Sequence, residues 1–154
     1  MTLNKNDDCI FCRIAEGKSP CAELYSDDLV MAFLDIAPVN KGHALVIPKA
    51  HYQDIFEMPA TMGEALIRAQ QHVGNAIMAA TKAEGLNIYM NNKAAAGQVV
   101  FHAHWHLNRA SQTIPCACGR NMFTMIPKRC CNWQPRSERN YVNRVFTGQP
   151  GGKL

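Results

Sequence analysis

An α+β domain built on a mostly antiparallel sheet of about five strands is what this sequence predicts, and three observations carry the prediction. Short apolar runs bounded by turn residues fill much of the first fifty positions, which is how strands read. One long stretch, from Met62 to about Ala83, repeats its apolar residues at three and four, as an amphipathic helix does. Two more strand-like runs follow it, and the second holds three of the six histidines at a spacing of two. Strands, one long helix and then paired strands make an α+β arrangement rather than an alternating parallel one.

Taken in order, Cys9-Ile10-Phe11-Cys12-Arg13-Ile14-Ala15-Glu16-Gly17 reads as a short helix stopped by Gly17, with Asp7 or Asp8 as a cap. Glu23-Leu24-Tyr25 and Leu29-Val30-Met31-Ala32-Phe33-Leu34 form a hairpin through Ser26-Asp27-Asp28, and Asp35 closes the second strand. The turn Pro38-Val39-Asn40-Lys41-Gly42 leads into a third strand, His43 to Pro48, apolar except at its first residue. His51 falls in the loop beyond it. On the long helix, Ala65, Leu66, Ala69, Val73, Ile77 and Ala80 make the apolar stripe, His72 lies off it, and Gly85 is the stop. Leu86 to Met90 is a fourth strand, and the loop Asn91 to Gln98 returns into the histidine run.

That run, Val99-Val100-Phe101-His102-Ala103-His104-Trp105-His106-Leu107, is rich in β-branched and aromatic residues. As a strand it turns His102, His104 and His106 to one face and Phe101, Ala103, Trp105 and Leu107 to the other. Alternate imidazoles would stand roughly 6.5–7 Å apart, so the outer two cannot share one metal ion. The row must divide its labour.

Composition sets the outer limits. With 154 residues, the length suits a single hydrophobic core, and no apolar run is long enough to span a bilayer. The first residues lack a secretory pattern, so a cytoplasmic protein with reduced thiols and no membrane partner is expected. Seven cysteines in no even framework favour metal ligation over a disulfide scaffold. Charge divides the chain: 8 Lys+Arg against 11 Asp+Glu up to residue 107, then 8 against one acid, Glu138. Two regions follow, 1–108 as the folded domain and 109–154 as a basic, poorly ordered tail. The tail's Cys116, Cys118, Cys130 and Cys131 have no recognised metal spacing, and its charge alone would give only sequence-independent attraction to nucleic acid. No nucleic-acid partner is expected. The abrupt change also fits a segment from a different reading frame, which intact mass of native protein would test.

Cys9 and Cys12 form a C-x-x-C that alone reads as half a zinc site, a redox pair or two buried thiols; the redox reading lacks the preceding strand it needs. A structural zinc site commonly takes two thiolates and two imidazoles, and His51 and His102 would complete the set, stapling the first helix to the sheet. His104 then remains free. A neutral imidazole is a good nucleophile at phosphorus near pH 7 if its other nitrogen donates to a fixed acceptor, often a backbone carbonyl. His106 and His43 could donate to phosphoryl oxygens, although a histidine at the mouth of an apolar strand is often incidental. Backbone N–H groups around Ala96-Gly97-Gln98 could add donors. Asp35 could accept from sugar hydroxyls or simply cap a turn.

His-Ala-His-Trp-His, preceded by Asn91 and by Ala96-Gly97-Gln98-Val99-Val100-Phe101, resembles the signature of the histidine triad (HIT) family. Phe33-Leu34-Asp35-Ile36 and Gly42 to His51 match its upstream motifs in order, so that residues from about 9 to 107 are covered. The likeness is to the Hint branch, especially members with a Cys-x-x-Cys zinc site. It implies the HIT-like fold, with one long and one short helix, a homodimer joining two sheets, and hydrolysis of purine nucleoside 5′-phosphoramidates such as AMP-amines. It further implies His104 as nucleophile with His43 and His106 around the phosphate, and Ile10, Phe11, Ile14, Phe33, Ile36 and Leu45 lining the base pocket. Asp35 would bind the ribose, Asn91, Gly97, Gln98 and Val99 would border the phosphate, and zinc would sit on Cys9, Cys12, His51 and His102. Three positions depart from the pattern: Asn108 stands where the motif is usually apolar, Lys93 where glycine is common, and Val99 where Ser or Thr often supplies a hydroxyl. The family's C-terminal segment is not recognisable in 109–154.

The expected function is therefore a nucleotide-binding hydrolase that cleaves the P–N bond through a covalent nucleotidyl-histidine. The alternatives are a dinucleoside polyphosphate hydrolase, a catalytically weak nucleotide-binding or scaffold protein, and a metalloenzyme using His102 and His104 as paired ligands. The last leaves the Gly97-Gln98 loop and the Cys9/Cys12 pair without roles.

Overall fold

The structure is a computed structural model and describes residues 5–111. Residues 112–154, with Cys116, Cys118, Cys130 and Cys131, lie outside the described residues. So does the greater part of the predicted tail.

Five strands, β1 (Glu23–Ser26), β2 (Val30–Leu34), β3 (Ala44–Pro48), β4 (Gly85–Tyr89) and β5 (Trp105–Ala110), form one sheet in the order β1-β2-β3-β5-β4. Every neighbouring pair is antiparallel. Two α-helices, α1 (Ile10–Ala15) and α2 (Gly63–Thr81), cover its two faces. The continuous apolar runs of β2 and β3 follow from this: buried on both sides, these strands lack polar alternation. Val30, Ala32, Ala44, Val46 and Leu107 pack against Ala65, Leu66, Ala69, Val73 and Ile77 of α2. Met31, Phe33, Leu45 and Ile47 pack on the opposite face against Phe11, Cys12 and Ile14 of α1. The described residues contain no helix long and apolar enough to cross a membrane.

The helices differ from expectation at their ends. A 3-10 turn, Ala60–Met62, precedes α2, and Lys82, at φ 52°, supplies the left-handed cap. Gly85 is the first residue of β4 rather than the helix stop, and Ala80 is exposed. Within α2, a Cβ at Gly74 would meet Leu86 Cδ2 at 2.8 Å, so a larger residue there would push the end of that side chain aside. Neither Asp7 nor Asp8 caps α1: its N-cap is Cys9, with no side-chain cap bond, and the Cys9 N–H donates to the Asn6 carbonyl at 3.0 Å. Gly17, at φ +72°, does end α1 as predicted.

The larger correction concerns the histidine run. Its strand begins at Trp105, so only His106 of the three histidines is in β5; the strand then extends through Ala110, pairing with Gly85. The approach from Val100 to His104 is bent because its backbone donors find partners elsewhere. The His102 N–H reaches the Val100 carbonyl at 2.9 Å, and the Ala103 N–H reaches the Tyr52 carbonyl at 2.7 Å. Side chains still alternate where it matters, with Ala103 and Leu107 buried and Trp105 packed on the α2 side.

Candidate active site

Two clusters of histidines lie on the sheet face opposite α2, and the chain segment 102–106 contributes to both. In the first, Cys9 Sγ is 3.4 Å from His102 Nδ1, while Cys12 Sγ is 3.3 Å from His51 Nδ1 and 3.6 Å from His102 Nδ1. All four ligand atoms lie within 4.8 Å of one another. Tetrahedral zinc with bonds of about 2.3 Å to sulfur and 2.0–2.1 Å to nitrogen has ligand–ligand edges of roughly 3.3–3.8 Å. The donor set fits zinc. The His102 ring is oriented by its other nitrogen, Nε2, which donates to the Pro48 carbonyl at 2.9 Å and so leaves the Nδ1 lone pair facing the thiols. Burial holds His102 neutral, with its pKa pushed down to about 4, and raises the Cys12 thiol to about 11 in the absence of metal.

The second cluster joins His43, His104 and His106. His104 Nδ1 donates to the His102 carbonyl at 2.6 Å, so its Nε2 carries the lone pair. Desolvation lowers the His104 pKa against the opposing pull of that carbonyl and of Asp35, favouring the neutral ring. The rings of His104 and His106 have centroids 4.9 Å apart, closer than the spacing of a regular strand would give, and His104 lies just before the strand begins at Trp105. His43, just before β3, sits with Nε2 2.9 Å from His106 Nδ1. Its own Nδ1 lies 3.4 Å from Asp35 Oδ2 and 3.3 Å from the Val39 backbone nitrogen. These two contacts demand different proton positions. With Nδ1 accepting from Val39, His43 donates through Nε2 and His106 presents an Nε2–H outward. With Nδ1–H donating to Asp35, the His106 Nδ1–H donates to His43 and its Nε2 becomes an acceptor. The outward nitrogen of His106 is therefore a donor in the first arrangement and an acceptor in the second. Burial lowers the pKa of His43 and takes that of His106 down to about 4, with His104 and His43 adding to the effect at His106.

Phe11 connects the clusters. Its ring meets His104 edge-on at a centroid distance of 5.3 Å, His102 at 5.8 Å and Phe33 at 5.6 Å. Of the six apolar residues expected around a base, Phe11, Ile14, Phe33 and Leu45 are buried in one cluster. Ile10 and Ile36 are exposed outside it, Ile36 completely. Asp35 also accepts from the Ala37 N–H at 2.8 Å, so it caps a turn while facing His43.

The loop after β4 is pinned by Gln98 rather than left open to a ligand. The buried Gln98 side chain accepts from the Lys93 N–H at 2.7 Å and donates to the carbonyls of Gln53 at 2.6 Å and Val100 at 3.2 Å. Its polar groups hold the loop shape. Gly97 is exposed at φ +89°, and a Cβ there would stand 3.6 Å from Asn91 Nδ2. Val99 is 86% exposed and offers no hydroxyl. Lys93, at φ 73° and ψ 157°, adopts a conformation that favours glycine. Its ammonium pairs with the buried Asp54 carboxylate and lies 5.9 Å from the Phe56 ring centroid.

One residue of this face was not anticipated. Tyr89 stacks on His106 with centroids 4.9 Å apart and planes at 17°. The signal was available in principle: the β4–β5 register sets Tyr89 opposite His106. It required knowing that these two runs pair.

The HIT domain pattern matches residues 16–110. The chain belongs to the HIT family. Among its relatives, an adenylylsulfatase HINT3 from Arabidopsis thaliana is 45% identical over 101 residues, 66% of this chain and 51% of that protein. The chain thus matches about half the length of that relative. An adenosine 5′-monophosphoramidase, hnt1, from Schizosaccharomyces pombe is 41% identical over 99 residues, 64% of this chain and 71% of that one. A zinc-bound HIT protein from Mycobacterium smegmatis shares the fold with a TM-score of 0.67 and 34% identity, covering 70% of this chain and 78% of that chain.

Proposed function

We propose that this HIT protein hydrolyses purine nucleoside 5′-phosphoramidates through a covalent nucleotidyl-His104 intermediate. The observation that carries the reading is the 2.6 Å bond from His104 Nδ1 to the His102 carbonyl, which leaves Nε2 as a fixed, unprotonated nucleophile. Nε2 attacks the α-phosphorus, the P–N bond breaks, and the amine leaves with a proton taken from solvent, which the later hydrolysis returns. Water then cleaves the phospho-imidazole, releasing the nucleoside monophosphate and restoring His104. His106 donates through its outward Nε2–H to the phosphoryl oxygens as charge accumulates, and His43 stands behind it near the phosphate, its own Nε2–H donating to His106 Nδ1 at 2.9 Å. Gly97 and Asn91 border the same oxygens without supplying the backbone donors expected there, since the Ala96 and Gln98 N–H groups donate to the Lys93 carbonyl and the Gly97 N–H to the Ala94 carbonyl, and Val99 flanks the leaving group. Phe11, Ile14, Phe33 and Leu45 form the floor under the base, with Ile10 and Ile36 at its rim, and Asp35 accepts from the ribose. Gln98 acts by shaping the loop.

Cys9, Cys12, His51 and His102 would hold zinc, which when bound supplies a cross-link between α1 and the 48–52 and 102 segments. The protein works as a cytoplasmic homodimer on this reading, supported by the family resemblance and by β4, an edge strand of the sheet whose Ile88 is exposed.

A second substrate class has its own support. Val99 offers no hydroxyl for protonating a leaving amine, and sulfate departs without needing a proton; one relative is named an adenylylsulfatase. Rapid-quench intact mass on wild type, His104→Ala and His106→Ala with an AMP-amine and with adenylyl sulfate tests both readings. A gain of one nucleotidyl group that requires His104 is expected. Turnover that survives His104→Ala overturns the nucleophile assignment. Tight AMP binding with no turnover leaves a nucleotide-binding protein, and cleavage of dinucleoside polyphosphates alone points to that substrate class instead.

A further inference from the structure

Asn108 is fully buried in β5, two residues beyond His106, on the strand face that carries the second cluster. Its Nδ2 donates to the Tyr89 hydroxyl at 3.0 Å. Its Oδ1 is buried without a hydrogen-bond partner among the described residues. An apolar side chain would avoid that unpaired oxygen. The amide therefore contributes something other than packing.

What it holds is the ring that holds His106. The hydrogen bond at His106 Nδ1 fixes a point on the imidazole and leaves its plane free to turn about that contact. The Tyr89 ring, nearly parallel at 17°, restrains the plane. The Asn108 amide in turn anchors the far end of the phenol and stops it sliding along the sheet. Cross-strand register makes the pair possible: Tyr89 stands opposite His106, and Asn87 opposite Asn108. Elsewhere the ring is flanked by His104 at a centroid distance of 4.9 Å and by His43, with the Asp35 carboxylate beyond His43.

We propose that Tyr89 and Asn108 are positioning residues that fix the plane of the His106 ring and so aim its outward nitrogen at the reacting phosphorus centre. The inference rests on the hydrolase reading for its catalytic consequence but not for the restraint itself. A donor turned away from a developing charge loses most of its effect, and small misplacements in such sites are costly to rate.

Two measurements on the intact chain separate the inference from the reading it builds on. The first needs no substrate. The His106 ring proton resonances should be shifted upfield by the Tyr89 ring current in wild type and in Tyr89→Phe, and should move downfield in Tyr89→Leu. The second is a kinetic cycle with an AMP-amine. Asn108→Leu and Tyr89→Phe each remove the tether, and each should lower kcat by about tenfold with KM within about twofold. Because they cut the same link, the double variant should lose no more than either single one. Simple packing defects would instead add, and would appear as lowered thermal midpoints. His106 resonances unchanged in folded Tyr89→Leu overturn the restraint, whether or not wild type turns over. A normal kcat in folded Tyr89→Phe and Asn108→Leu overturns its catalytic role. Tyr89→Phe keeps the ring and tests the tether even if Asn108→Leu does not fold.

Discussion

His102 and His104 are two residues apart, both buried and both pushed toward the neutral form by desolvation, yet they present opposite nitrogens. In His102 a backbone carbonyl takes Nε2–H and leaves Nδ1 for the thiols of Cys9 and Cys12. In His104 a backbone carbonyl takes Nδ1–H and leaves Nε2 for a substrate. The residue type, the burial and the charge state are shared. The carbonyl that each ring meets, Pro48 for His102 and His102 for His104, decides which nitrogen is left over, and on the proposed reading that separates a metal ligand from a nucleophile. Local backbone shape assigns function here more than side-chain identity does.

Exchanging the two losses is the strongest way to break that comparison. His104→Ala should lower turnover by about ten-thousandfold or more while leaving the thermal midpoint and metal content near wild type. His102→Ala should do the reverse, losing metal and stability first. Steady-state kinetics with metal analysis and a melting curve on both variants checks the pair, and equal effects on all three readouts would erase the distinction.

Metal removal probes the first cluster alone. One zinc per chain is expected by elemental analysis, and chelation should lower the thermal midpoint by about 10 °C or more, since the ligands come from three separated segments of a domain of this size. Turnover should fall less at temperatures where the stripped protein is still folded, because no step runs through the metal. Immediate loss of turnover at a temperature well below the new midpoint would favour the paired-ligand metalloenzyme instead.

The pH response follows from the second cluster. Burial holds the folded-state pKa of His106 at about 4, below its unfolded value near 6.5. Between those values the unfolded chain binds the extra proton, so stability is intact above about pH 6.5 and declines as the pH falls toward 4. The slope from this one group is at most about 1.4 kcal/mol per pH unit. His43 and His104 shift in the same direction and steepen it. Turnover, which needs neutral His104, should stay level through neutrality and fall only at acid pH. Denaturant titrations at several pH values check the first statement and a pH–rate profile the second; stability rising toward pH 4 would contradict the burial of these rings.

Much of this was legible in the sequence because it was local. The apolar runs of β2 and β3, the α2 stripe from Ala65 to Ile77, and the left-handed Gly17 are patterns within one element. The gathering of Cys9, Cys12, His51 and His102 was also accessible, because ligand chemistry restricts the possible partners. What escaped depends on long-range pairing. The bend before Trp105 exists because the Ala103 N–H is taken by the Tyr52 carbonyl, a contact across about fifty residues that no periodicity encodes. The loop Ala96-Gly97-Gln98 reads from sequence as a source of backbone donors, but those N–H groups are spent on the Lys93 and Ala94 carbonyls, and the Gln98 side chain holds the Gln53 and Val100 carbonyls. Tyr89 was silent for the same reason, since its meaning lies in the register with β5.

The smallest effect is expected at Lys93, where the loop bordering the second cluster is tied to the segment that follows His51. At φ 73° and ψ 157° a lysine backbone is strained, whereas glycine adopts that conformation freely. Against this, Lys93→Gly loses the ion pair with Asp54 and the contact with Phe56. The lysine side chain is partly in solvent, but Asp54 is buried, so losing the pair leaves a carboxylate without its partner and offsets the relief of backbone strain. Glycine's greater freedom in the unfolded chain takes back part of the gain. A net change in the thermal midpoint of less than about 2–4 °C in either direction is expected, with turnover changed by less than about twofold. Lys93→Met, which keeps the strain and loses the charge, should instead melt lower than wild type at low salt and approach it as salt is raised. If Lys93→Gly melts lower than Lys93→Met, which lacks the charge as well, the strain stored in that backbone is too small to matter. The loop would then be held chiefly through Gln98 and Asn92, whose Oδ1 accepts from the Ile55 N–H at 3.0 Å.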